Sequence, residues 1–196
     1  MGIVIGSNVE IEDTVKLEGN VVIGDNTKIL GNSCITDSTI GSNCTISSTF
    51  IEKNNIIGDF NNIGPFAHLR ENNEIGNYNN IGNYIEIKSS KIKDNNNMKH
   101  FGYVGNVIMG NYCNIGAGVV FANYHSMKEV KSSVVMGDKV SVGSNSTLVA
   151  PIKLGSNIMI GAGSVVDLDI IDNSLYINRG VECYKKNYYK ENDLWF

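Results

Sequence analysis

The 196-residue chain carries a formal net charge of -4 and a pI near 5.4, which leaves no basic field to hold nucleic acid or an anionic membrane surface. Hydrophobic residues make up 42% of it, enough for one continuous core, and no apolar run approaches the roughly 18 residues of a membrane span. The opening MGIVIGSNVE has neither a basic start nor a small-residue cleavage site, so a cytoplasmic protein is expected, with no nucleic acid and no membrane among its partners.

From the amino terminus onward an aliphatic residue recurs every six positions. Ile5, Ile11, Leu17, Ile23, Ile29 and Ile35 form the first run, and Ile40 and Ile46 follow one five-residue step. Ile51, Ile57, Ile63, Leu69, Ile75, Ile81 and Ile87 follow another; Ile92, Met98, Val104, Met109, Ile115 and Phe121 continue the series. Residues 122–133 interrupt it, and it resumes at Met136, Val142, Leu148, Leu154, Ile160 and Val166. An amphipathic helix would repeat near 3.6 residues, so a period of six predicts short strands joined by tight turns. Gly, Asn, Asp and Ser between the aliphatic positions suit the positive φ that such corners need.

Three hexads close one triangular coil of about eighteen residues, each aliphatic stacking on its counterpart one coil later. Residues 1–166 are thus expected to form one parallel β-helix with a loop excursion at 122–133. Residues 167–196 form a C-terminal extension, ending in VECYKKNYYKENDLWF, that serves either as a solvated cap or as a bridge between subunits. The period leaves the hand of the coil open. Cys34, Cys44, Cys113 and Cys183 include no C-x-x-C pair and read as reduced, mostly buried side chains.

Stacking the coils also places the polar residues. Leu69, Ile87 and Val104 fall in one column, so their neighbours share one outer face, with Arg70 beside Lys88 and Glu86 beside Tyr103. Two cations on adjacent rungs repel unless they splay into solvent or an anion such as a phosphate lies between them. His100, two residues after Met98, stands at the corner leading onto this face. A base, a carboxylate, a phenol and two cations make a candidate site. His68 lies on the same face as either a ligand contact or plain surface, and His125 lies in the excursion.

The strings IGPFAHLR, IGNYIEIKSS, KHFGYVGN, NIGAG, FANY, GSNSTLVAP and IGAGSVV, in this order from about Asn8 to Arg179, carry a resemblance. The chain resembles the carboxy-terminal acetyltransferase domain of the bacterial bifunctional N-acetylglucosamine-1-phosphate uridyltransferase/glucosamine-1-phosphate acetyltransferase family. That resemblance implies a left-handed parallel β-helix of the hexapeptide-repeat class, assembled as a homotrimer with sites between subunits. It implies acetyl-CoA as co-substrate and an amino sugar phosphate, glucosamine-1-phosphate first, as acceptor. His100 matches the catalytic base and Glu86 the carboxylate near the base and amine. Arg70, Lys88 and Tyr103 match sugar-phosphate contacts, and Asn114, Asn123 and Tyr124 match residues lining the sugar site. Ala117, Ser144 and Ala162 match the acetyl-CoA groove and Arg179 a contact to the nucleotide end of CoA. A lysine from a neighbouring chain's excursion loop corresponds to Lys131, with Lys128 competing. No cysteine matches a nucleophile, so direct transfer is implied.

Several features depart from the family. Its nucleotidyltransferase half has no counterpart here, so uridylyl transfer is not expected. Glu71-Asn72 replaces Pro-Gly after Arg70, His125-Ser126 replaces Asp-Gly after Tyr124, and Lys99 replaces the Gly before His100. These changes bear on the acceptor, so another amino sugar or a sugar nucleotide is the enzymatic alternative, and a non-catalytic scaffold is the alternative of another class. Three histidine ligands for metal-dependent anhydrase chemistry are not convincingly supplied by His68, His100 and His125.

Overall fold

The structure, a computed structural model, describes residues 2–178 and Gly180. Arg179 and the sequence beyond Gly180, including Cys183 and the Tyr/Lys-rich tail, lie outside the described residues.

Strands of two to four residues follow one another around a triangle, and each pairs in parallel with the strand one coil on. The result is three parallel faces of nine, ten and nine strands, called here the first, second and third face in the order the chain meets them. The expected aliphatic column is the core: from Ile23 to Val166 every position of the series is buried. Ile5 is exposed and Ile11 and Leu17 are half-buried, because among the described residues the first coil has a neighbour on one side only. Among the described residues no helix is long and apolar enough to cross a membrane.

The corners account for the abundance of Asn in two ways. Asn8, Asn26, Asn43, Asn54 and Asn72 adopt φ between 55° and 66°, a region Asn enters at lower cost than other L-residues. Asn61, Asn79 and Asn96 do something the composition did not suggest: they are buried and run up the inside of one corner as a hydrogen-bonded ladder. Asn61 Oδ1 accepts from Asn79 N at 2.8 Å, Asn79 Oδ1 from Asn96 N at 2.9 Å, and Asn96 Oδ1 from Cys113 N at 2.7 Å. These amides satisfy corner groups that would otherwise be buried without partners. The Cys44 and Cys113 thiols occupy equivalent positions, facing Gly58 O and Gly137 O, and burial pushes both up from the ordinary thiol range. Outside the first corner a second ladder runs through acidic side chains: Asp25, Asp59, Asp94 and Asp138 each accept a backbone N–H from one coil earlier at 2.6–2.7 Å.

The excursion is a β-hairpin. Tyr124–His125 pairs antiparallel with Val130–Lys131, and Ser132 N donates to Asn123 O at 2.8 Å to close its base. At the far end the ladder runs past residue 166: Ile170 bridges to Leu154, and Leu175–Tyr176 pairs with Met159–Ile160. A four-residue step from Val166 to Ile170 breaks the six-residue period there, which is why these rungs did not register as repeats.

Candidate functional site

The third face is built from His68–Leu69, Ile85–Lys88, Gly102–Gly105 and Val120–Ala122, stacked in that order. Inward Leu69, Ile87 and Val104 are fully buried, and the residues between them point out. Glu86 pairs with Tyr103 and Lys88 with Gly105, as the column argument required. Arg70 N donates to Ile87 O at 2.8 Å, so Arg70 continues the same register alongside Lys88.

Both cations have carboxylate partners on the face. Lys88 Nζ lies 2.8 Å from Glu71 Oε1, and with its side chain only 16% exposed it cannot escape the face. Arg70 lies 3.4 Å from Glu86, 3.8 Å from Glu52 and 3.9 Å from Glu71. The expected repulsion is therefore relieved by carboxylates of the protein itself. Counting one coil further back would have found Glu52, whose N donates to Leu69 O and which stands in the same column as Arg70. His68 Nε2 pairs with Glu52 Oε1 at 2.9 Å, and its ring packs edge-on against Phe50.

Gly105 gives Tyr103 its position. A Cβ at residue 105 would collide with the Tyr103 phenol, so the glycine leaves a gap beside Lys88 into which the ring lies. Asn123, buried at the base of the hairpin, donates to Asn106 Oδ1 at 2.7 Å and approaches the Tyr103 hydroxyl at 3.5 Å. Gly105→Ala is expected to leave the fold intact and to displace the phenol. The check is a crystal structure of the variant with its melting curve; an unmoved Tyr103 would contradict this account.

His100 is exposed at the corner between the second and third faces. Because Met98, Ile115, Val142 and Ile160 stack in register, the residues two positions after them form one line: His100, Ala117, Ser144 and Ala162. The corner is locked by Gly118 N to Phe101 O at 2.7 Å, Asn145 N to Ala117 O at 2.7 Å and Gly163 N to Ser144 O at 2.8 Å. A Cβ at Gly116 or Gly143 would strike the backbone of the next coil, so the stripe stays narrow. An imidazole thus stands at the foot of a shallow track of small side chains.

Other expected residues lie elsewhere on the chain. Asn114 points out from the second face, in a column with Asn97, Asn80 and Asn62, and so faces away from Arg70 and Lys88. Tyr124 and Lys131 oppose each other on the hairpin, both exposed, and Lys128 lies in its turn with its N donating to His125 O at 3.2 Å. One chain therefore unites Arg70, Lys88, Glu86, Tyr103 and Asn123, flanked by His100 at the corner; it does not bring Asn114 to them. Arg179 is outside the described residues.

A face that sets two cations among three carboxylates presents groups of both signs to a ligand, and the small-residue track leaves room for an extended one along its corner. The comparisons with known proteins bear on both. The family model of the GMPPB C-terminal domain matches residues 2–77. The bifunctional protein GlmU of Buchnera aphidicola subsp. Acyrthosiphon pisum is 41% identical over 189 residues, which is 96% of this chain and 41% of that protein. The chain thus spans about two fifths of the length of the curated relatives it matches. Among solved structures, PerB from Caulobacter crescentus in complex with CoA and GDP-perosamine is 18% identical with a TM-score of 0.55, covering 64% of this chain and 67% of that one. UDP-N-acetylglucosamine acyltransferase from Campylobacter jejuni is 22% identical with a TM-score of 0.53, covering 91% and 68%. These structures share the fold, the left-handed parallel β-helix.

Proposed function

The chain resembles the bifunctional protein GlmU along 96% of its own length, and from that premise we propose that it is an acetyl-CoA-dependent N-acetyltransferase acting on an amino sugar phosphate, glucosamine-1-phosphate first. The observation that carries the reading is the position of His100 at the corner that leads, three residues on, into the Glu86–Tyr103 rung, with the line Ala117, Ser144, Ala162 continuing from it.

In this reading His100 takes a proton from the sugar ammonium, because histidine changes charge near neutral pH and can act as a base there. The freed amine attacks the thioester carbonyl, the carbon–sulfur bond of the adduct breaks, and CoA leaves as a thiolate that takes up the second proton given off by the nitrogen as the amide forms. Glu86 steadies the amine and the imidazolium by its charge, while Arg70, Lys88 and Tyr103 hold the phosphate and fix the angle of attack. A backbone N–H of the Gly/Ala-rich rungs would stabilise the oxyanion. The track beside Ala117, Ser144 and Ala162 takes the pantetheine arm, and Arg179 the nucleotide end.

The reading includes a homotrimer. Asn114 faces away from its own chain's cations, as a residue completing a neighbour's site would, and Lys131 or Lys128 on the exposed hairpin would reach across likewise. A closed three-fold assembly suits a prism-shaped solenoid.

A second acceptor class is favoured by one observation: Glu71 already neutralises Lys88. An amino sugar lacking a free phosphate monoester, or a sugar nucleotide, would meet less opposition there. PerB, solved with GDP-perosamine, shows a related fold holding a sugar nucleotide. Free-CoA release from acetyl-CoA with glucosamine-1-phosphate, glucosamine, glucosamine-6-phosphate and UDP-glucosamine separates these readings. Turnover is expected on glucosamine-1-phosphate. Turnover on another acceptor reassigns the substrate, and none on any amine leaves a binding scaffold.

A further inference from the structure

Arg70 and Lys88 are partnered before any ligand arrives. They face three carboxylates, Glu52, Glu71 and Glu86. Arg70 Nε is nevertheless shielded from solvent and makes no hydrogen bond, so the arginine keeps an unused donor directed into the cluster.

Glu71 is distinct from the other two carboxylates. Glu52 and Glu86 stand beside inward residues of the face, whereas Glu71 comes one residue later, at the corner just before Asn72 with its φ of 66°. Its side chain returns over the outer surface, with Oε1 2.8 Å from Lys88 Nζ and Oε2 3.9 Å from Arg70 Nε. That is the separation at which an ammonium meets a phosphate oxygen. The lysine beside it is the main reason its carboxyl is held down at about 2, so it carries full negative charge at any working pH.

Resting on the acetyltransferase reading for the identity of the acceptor, we propose that Glu71 is a specificity-determining residue. Its carboxylate occupies the seat between Lys88 and Arg70 that an acceptor phosphate would take, so phosphate-bearing acceptors must displace it while uncharged ones need not. No bond is made or broken; the side chain turns outward and gives up Lys88, and the phosphate takes its place. Removing the charge while keeping the shape should therefore help phosphorylated ligands and leave their unphosphorylated counterparts as they were.

The test uses Glu71→Gln in the full chain with two readouts. The first is calorimetric titration with glucose-1-phosphate, which has no amine to acetylate, beside glucose. The second is the ratio of kcat/KM for glucosamine-1-phosphate to that for glucosamine. The variant is expected to bind glucose-1-phosphate about tenfold more tightly, equivalent to about 1.4 kcal/mol, and to shift the kcat/KM ratio toward the phosphate by a similar factor. Unchanged or weaker binding in a folded variant overturns the proposal, and so does absence of glucose-1-phosphate binding in both proteins. Tighter binding without acetyl transfer to any amine sustains the role of Glu71 and sinks the acetyltransferase reading. Transfer to glucosamine with no gain in phosphate affinity does the reverse. Glu71→Asp, which withdraws the carboxylate by one methylene, should give an intermediate gain and serves where Glu71→Gln does not fold.

Discussion

His100→Ala is expected to lower kcat for acetyl transfer by about 10²- to 10⁴-fold, the usual share of a positioned general base. The argument is one of position. His100 projects from an exposed corner and is absent from the core, so its truncation removes no buried contact, and surface changes of this kind usually alter stability by less than about 0.5 kcal/mol. Melting behaviour should stay as it is while turnover collapses. The loss should fall on kcat more than on KM for acetyl-CoA, because the line Ala117, Ser144, Ala162 is untouched. Free-CoA release under saturating substrates is the measurement. A loss under about threefold would remove His100 from the role of base.

Phe121→Ala is expected to destabilise the protein by about 3–5 kcal/mol, the range for emptying a buried aromatic position. Phe121 is 0% exposed and the largest fully buried side chain of the core, set between aliphatic neighbours at Val104 and Leu148. Coils of a solenoid are held mainly by their nearest neighbours, so the cavity weakens two interfaces at once. It also undercuts Ala122 and Asn123, from which the hairpin departs. Urea denaturation followed by circular dichroism measures the loss, and a change below about 1 kcal/mol would show that the coils relax into the space. Acetyl transfer should fall in the same variant below its unfolding transition, since Asn123 supports Tyr103.

Much of the fold was legible because one residue in six is obliged to be aliphatic and its neighbours are obliged to alternate. That rule placed Glu86 beside Tyr103 and Arg70 beside Lys88, and the registers agree. It could not show Glu71 reaching Lys88, since the direction of a corner side chain is set by the turn and not by the alternation along a strand. Nor could it show the buried amide ladder of Asn61, Asn79 and Asn96, because composition does not separate an Asn that supplies a turn from one that supplies a hydrogen bond. The rungs at Ile170 and Tyr176 were hidden by a single four-residue corner. Nothing in the sequence marks Gly105 as the residue that makes room for the Tyr103 ring.

The line from His100 through Ala117 and Ser144 to Ala162 has a consequence for how such a protein can change. Coils stack at a fixed spacing of roughly 4.8 Å, so the reach between the imidazole and any point on the track varies only in whole steps. A segment inserted between rungs, as the hairpin at 122–133 is, lengthens the chain without altering that reach, whereas an inserted coil lengthens it by one step. The solenoid is in this sense a ruler with discrete marks. Selection acting on it would tune acyl-donor length by counting coils, and acceptor identity by exchanging side chains on a single rung.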